Sequence, residues 1–206
     1  EAKHPQVLPN YVRLYLTAAA DGDLEIVQYV LEVTGLSPDA TDKHLRNALH
    51  AACAGGKLDI VKWLVETHHL NISKHDYRYL ATPLMHAISS GKVDLAKYLV
   101  GQLQAQQQSI EWDRLDSKGK SMLHMAAKTK IEMIQYLFEL LPESTILVNT
   151  FDQFELTPLM IAVKKGNLDI AKYLIESQHA DIHLRNKYGA SLFLLACQSS
   201  LEMAQY

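Results

Sequence analysis

The chain has 206 residues, 48% of them hydrophobic and 21% charged, with a formal net charge of −3. That balance excludes a disordered polypeptide. The net acidity argues against a nucleic-acid partner, and no run of about 18 apolar residues is present to span a membrane.

In chain order, residues 1–12 form a lead, and Pro5 and Pro9 predict an extended segment or turn there. No signal-peptide pattern opens it, and Glu1 is not an initiator, which points to processing or trimming. From Arg13 onward one pattern recurs. Residues 47–65 read NALHAACAGGKLDIVKWLV, residues 82–100 TPLMHAISSGKVDLAKYLV, and residues 157–175 TPLMIAVKKGNLDIAKYLI. Residues 13–31 are a degenerate copy, and the copies at 121–138 and 191–206 each lack one residue where the others carry Gly. The starts, Arg13, Asn47, Thr82, Ser121, Thr157 and Ser191, are 34, 35, 39, 36 and 34 residues apart. Such a period signals a stack of supersecondary units rather than one closed core.

Each copy reads as two helices. Thr82 and Thr157 are N-caps, and Pro83 and Pro158 follow at the first helical position, where a missing N–H costs nothing. Gly22, Gly56, Gly91 and Gly166 end the first helix in a left-handed turn. An acid then opens the second helix in favour of its dipole, and an apolar stripe such as Ile60, Val61, Leu64 and Val65 follows at 3.6-residue spacing. Lys130 and Ser200 stand where the glycine is lost, so those two turns should differ. Residues 101–109, GQLQAQQQS, account for the 39-residue interval and predict an extended second helix with a longer loop, not a domain linker. The last copy stops at Tyr206 inside its second helix with Leu201, Met203 and Ala204 uncovered, which predicts a continuing natural chain or a frayed end.

These residues resemble the ankyrin repeat, whose pattern is D-x-x-G-x-T-P-L-H-x-A-A followed by G-x-L-E/D-I-V. Four copies carry Gly-x-Leu/Val-Asp/Glu, two carry Thr-Pro-Leu, and two carry Leu-His at 49–50 and 123–124. The resemblance implies an all-α solenoid of helix-turn-helix units with short β-hairpin or turn fingers. Its units are a capping-like repeat at 13–46, repeats at 47–81, 82–120, 121–156 and 157–190, and an incomplete one at 191–206. Cys53 and Cys197 hold the same place in the second and sixth repeats and are expected to be buried thiols, fitting a reducing, cytoplasmic location.

Chemistry is sparse. His50 and Cys53 are spaced as metal ligands can be, but no third or fourth ligand is spaced to join them. The resemblance instead makes His50 and His124 backbone-binding core residues between neighbouring repeats. His68, His69 and His75 read as a solvated loop. Asp42, Asp76, Asp116 and Asp152 recur at one place, which fits turn stabilisation better than acid–base work. With no phosphate loop or nucleophile elbow, no enzyme, cofactor or metal site is expected. Asn149 and His183 stand where ankyrin hairpins usually have Asn, a place that an asparaginyl hydroxylase can modify. Leu141, eight residues before Asn149, suits that enzyme, although a finger-stabilising role is preferred. Trp63 and Trp112 read as packing residues rather than a methyl-lysine cage.

The resemblance places a partner on a concave face made of fingertips and first-helix ends. Mapped onto this chain, that face carries Lys43, Arg46, Arg78, Lys118, Lys120, Lys128, Lys164, Lys165 and Lys187, with Asp21 as its acid. Tyr77, Tyr79, Phe154 and Tyr188 add aromatic anchors. The expectation is a monomeric protein–protein interaction module for an acidic or phosphorylated segment, the alternative being a solvated Lys-rich face. A second reading is the substrate-recruiting or targeting region of a larger enzyme or of a bacterial effector in a host cell. Nucleic-acid binding through the same basic face is a third, disfavoured by net charge and family.

Overall fold

The structure, a computed structural model, describes residues 8–140 and 148–206. Its helices come in pairs: α1 (Leu8–Asp21) and α2 (Leu24–Thr34), α3 (Ala48–Gly55) and α4 (Leu58–Glu66), α5 (Pro83–Ser90) and α6 (Val93–Ala105). They continue with α7 (Met122–Ala126) and α8 (Ile131–Leu140), α9 (Pro158–Lys164) and α10 (Leu168–Lys172), α11 (Leu192–Ser199) and α12 (Leu201–Gln205). A π-turn over Tyr173–Ser177 extends α10. The fold is an all-α repeat stack. Among the described residues the fingers are turns rather than hairpins, with an isolated antiparallel bridge between Arg185 and Ser191.

The helix ends follow from their residues. Thr82 and Thr157 accept hydrogen bonds from the backbone N–H of Met85 and Met160, at 3.3 and 3.2 Å. Gly56 and Gly91 close α3 and α5 at φ of +69° and +75°, where an L side chain would be strained. The two turns without glycine do differ. Thr129 hydroxyl closes the first by donating to Ala126 O, and Ser200 caps α12 by accepting from Met203 N–H.

The chain divides into two compact units, Glu1–Ile110 and Glu111–Tyr206. Residues 101–109 lie inside the first unit, just before its end at Ile110. The extra residues do lengthen α6 to Ala105, as expected. In the first unit α3 packs between α1 and α5. Gly55 lies so close to α1 that a Cβ there would sit 2.0 Å from Ala20 O. Tyr15, fully buried, donates its hydroxyl to Pro38 O at 2.9 Å and ties α1 to the approach of the first finger. In the second unit α9 contacts α7, α10 and α11.

Three further expectations are revised. Helix α1 begins at Leu8, so residues 8–12 are helical rather than an extended lead; Pro9 is tolerated because the first turn needs no N–H from it. Cys53 is buried beneath neighbouring helices on both sides, but Cys197 is exposed. Its helix α11 packs on α9, and the side bearing Cys197 is not covered in the same way. Met203 is buried against the α9–α11 layer, whereas Leu201 is 74% exposed.

Candidate functional site

The fingers span residues 42–46, 76–81, 116–120, 152–156 and 186–190, and each is built around one acceptor side chain. Asp116 Oδ1 accepts from the N–H groups of Lys118 and Lys120 at 2.8 and 2.9 Å. Asp152 Oδ1 accepts from Phe154 and Leu156, and Asp42 from His44 and Arg46. Asn186 does the same for Tyr188 and Ala190, both at 3.0 Å. These are turn-stabilising bonds. Main-chain bonds then join successive fingers. Tyr77 N–H donates to His44 O at 2.7 Å, and Gln153 N–H to Lys118 O at 2.9 Å.

In the first unit the second finger projects Tyr77, 71% exposed, and Arg78, which lies over the half-buried Tyr79 ring at 5.0 Å. Lys43 is exposed on the first finger, and Arg46 is half-buried. The Arg46 Nε–H is buried without a hydrogen-bond acceptor among the described residues, a state that costs about 1–3 kcal/mol.

Beneath the second finger lies a pair that sequence reasoning missed. His86 Nε2 meets Asp76 Oδ2 at 2.7 Å, while Asp76 Oδ1 accepts from Tyr79 N–H. Burial alone would raise the Asp76 pKa, but the His86 and Tyr79 hydrogen bonds bring it below its ordinary value. The His50 ring packs edge-on to His86 at 5.8 Å. The available signal was a histidine, His86, one place beyond the position that His50 and His124 hold in their copies. His50 and His124 bind backbone at or just before the following finger, at Lys74 O and Leu156 O.

The second unit carries most of the mapped cations. Lys118, Lys128, Lys164, Lys165 and Lys187 are exposed, and Lys120 is half-buried. Partial burial and then Lys120, Lys165 and Lys118 hold the Lys128 ammonium below the usual lysine range, against the opposing field of Asp116. Among the described residues no ion pair involves these lysines. Lys187 Nζ stands 4.5 Å from the Phe154 ring centre and 5.1 Å from that of Tyr188. Tyr188 is 77% exposed. Glu155, exposed beside Phe154, is an acid that the charge mapping passed over.

The remaining sequence candidates have structural surroundings. Asn149 Oδ1 accepts from Asp181 N–H at 2.9 Å, and His183 is exposed. Leu141 lies outside the described residues. Trp63 and Trp112 are half-buried, and Trp63 packs on His68 at 4.4 Å. His69 is a left-handed residue at φ +52°, the place that Gly35 holds in the first repeat at φ +63°. No group of three metal-ligating side chains is gathered among the described residues. No helix there is long and apolar enough to cross a membrane.

A family model described as ankyrin repeats in three copies matches residues 14–109, 75–149, 102–186 and 123–206. The chain belongs to the ankyrin repeat family. The ankyrin repeat is a protein–protein interaction module, generally non-catalytic. Alpha-latrocrustotoxin-Lt1a from Latrodectus tredecimguttatus is 26% identical over 196 residues, which is 89% of this ankyrin chain and 13% of that protein. The chain therefore spans a small part of that relative. A chain in the solved structure of the Bd0816 predatory endopeptidase from Bdellovibrio bacteriovorus in complex with immunity protein Bd3460 has the same fold. Its TM-score is 0.69 at 23% identity, over 94% of this chain and 95% of that one.

Proposed function

We propose that this ankyrin chain is a non-enzymatic, monomeric interaction module of the cytoplasm that binds an acidic or phosphorylated protein segment. The observation that carries this reading is the group around Lys128. Lys118, Lys120 and Lys165 act on one ammonium against the single opposing carboxylate of Asp116, and no ion pair among the described residues holds these lysines. Like charges so placed repel one another until an anion arrives, and they steer acidic partners at a distance. Phe154 and Tyr188, bracketing Lys187, supply apolar area beside the charge. Lys164 extends the same charge along the end of α9, and Lys43, Arg46, Tyr77, Arg78 and Tyr79 form a separate contact region in the first unit.

The 13% share of the toxin relative supports a second reading, in which the chain is the recruiting or targeting region of a larger enzyme or effector.

The test is fluorescence anisotropy with a labelled Glu-rich peptide and a phosphoserine peptide. Both are expected to bind with an affinity that falls as salt rises. The triple variant Lys118→Glu, Lys128→Glu, Lys165→Glu is expected to abolish that binding. Unchanged affinity in the triple variant discards the reading.

A further inference from the structure

A cavity of about 750 Å³ opens between α1 and the first finger, wholly within the first unit. Val12, Leu16 and Ala20 give it an apolar wall, and Arg13, Lys43 and Arg46 line it with positive charge. None of the three cations takes part in an ion pair among the described residues. The Arg46 Nε–H is buried behind that lining, with no acceptor among the described residues. Asp42 shares the lining, but its Oδ1 already accepts two backbone N–H groups.

We propose that this cavity receives one large apolar side chain of a protein partner together with the carboxylate of an adjacent acidic residue. The volume lies in the range of ligand pockets. An apolar wall disfavours a purely charged ligand, and three cations outside any ion pair among the described residues disfavour a purely apolar one. A carboxylate supplies the counter-charge that Arg13, Lys43 and Arg46 lack among the described residues, in charge-assisted bonds. The inference rests on the interaction reading, but it uses other residues, in the other unit, than the Lys128 group.

The experiment titrates the full chain with three acetylated, amidated peptides by calorimetry and methyl NMR. Their sequences are Gly-Ser-Phe-Glu-Glu-Ser-Gly, the same with Gly for Phe, and the same with Gln for both Glu. The Phe–Glu peptide is expected to bind about tenfold tighter or more than either control, and to shift the methyl signals of Val12 and Leu16. Arg46→Gln is expected to remove the preference for Glu over Gln. Thr17→Trp, at an exposed residue of the lining, is expected to block the cavity without lowering the melting temperature. Equal binding of all three peptides, or a preference that survives Thr17→Trp, overturns the proposal. A dimer that Thr17→Trp dissociates in sedimentation would assign the cavity to a second copy and overturn it too. The triple lysine variant separates the two readings. It should keep the Phe preference while losing the Glu-rich peptide, so either reading can fail alone.

Discussion

His50 and Lys74 stand 24 residues apart, yet His50 Nε2–H donates to the Lys74 carbonyl at 2.8 Å. Burial, not that bond, keeps the ring neutral. Burial first, and then the His86 charge, lower its pKa from the ordinary 6.5 to about 4, against the opposing effects of the Lys74 carbonyl and Asp76. Below pH 6.5 the unfolded chain takes up a proton that the folded chain refuses. Stability is therefore complete above about pH 6.5 and falls as the pH drops toward 4, by about 3 kcal/mol at most. Asp76, whose folded pKa lies below its ordinary 3.8, contributes above that value and loses its effect only in stronger acid. The check is urea unfolding of a Trp112→Phe variant, in which Trp63 reports on the first unit, at pH values from 7.5 to 4. His50→Gln should lower stability at pH 7.5 and flatten the slope.

Gly55 faces Ala20 O across the α1–α3 contact. Gly55→Ala should destabilise the first unit by about 1–3 kcal/mol, because both groups belong to helix backbones and neither can step aside cheaply. Thermal unfolding followed through Trp63 measures this. An unchanged midpoint would mean that the helices separate at little cost.

Glu155 holds φ +53° at the finger position where Gly119 and Gly189 hold +70° and +74°. A left-handed conformation costs an L residue about 1–2 kcal/mol, part of which glycine gives back in chain entropy. Glu155→Gly should therefore stabilise the second unit by about 0.5–1 kcal/mol, read as a rise in the urea midpoint.

Asp116 separates two roles that its carboxylate combines. Asn186 shows that an amide can hold a finger through the same pair of N–H groups. Asp116→Asn should keep the fold and, by removing the opposing charge near Lys128, tighten the Glu-rich peptide several-fold. Asp116→Ala should cost about 1–2 kcal/mol of stability through the lost turn bonds. Parallel melting and anisotropy measurements on the two variants distinguish the roles.

Local signals made the helices legible. Thr-Pro openings, left-handed glycines and acids in the first turn of second helices are written in short windows and stand where they were read. What escaped needed knowledge of neighbours. Cys197 shares the register of Cys53 but not its covering. His86 is one place beyond the familiar Leu-His histidine, and its partner Asp76 lies in the preceding finger. His69 read as one of a histidine cluster because a left-handed non-glycine residue carries no compositional mark. The cations of the candidate surface and the turn-holding role of Asp116 and Asp152 could both be named from the repeat, whereas the contact of Lys187 with the Phe154 ring required coordinates.

Successive fingers within a unit are fastened through main-chain atoms, as in Tyr77 N–H to His44 O and Gln153 N–H to Lys118 O. No identity at the exposed tips is spent on that fastening. Positions such as 43, 77, 118 and 154 are thus free to drift in evolution or to be randomised in a library, and a new specificity can be written there while the scaffold beneath it is kept.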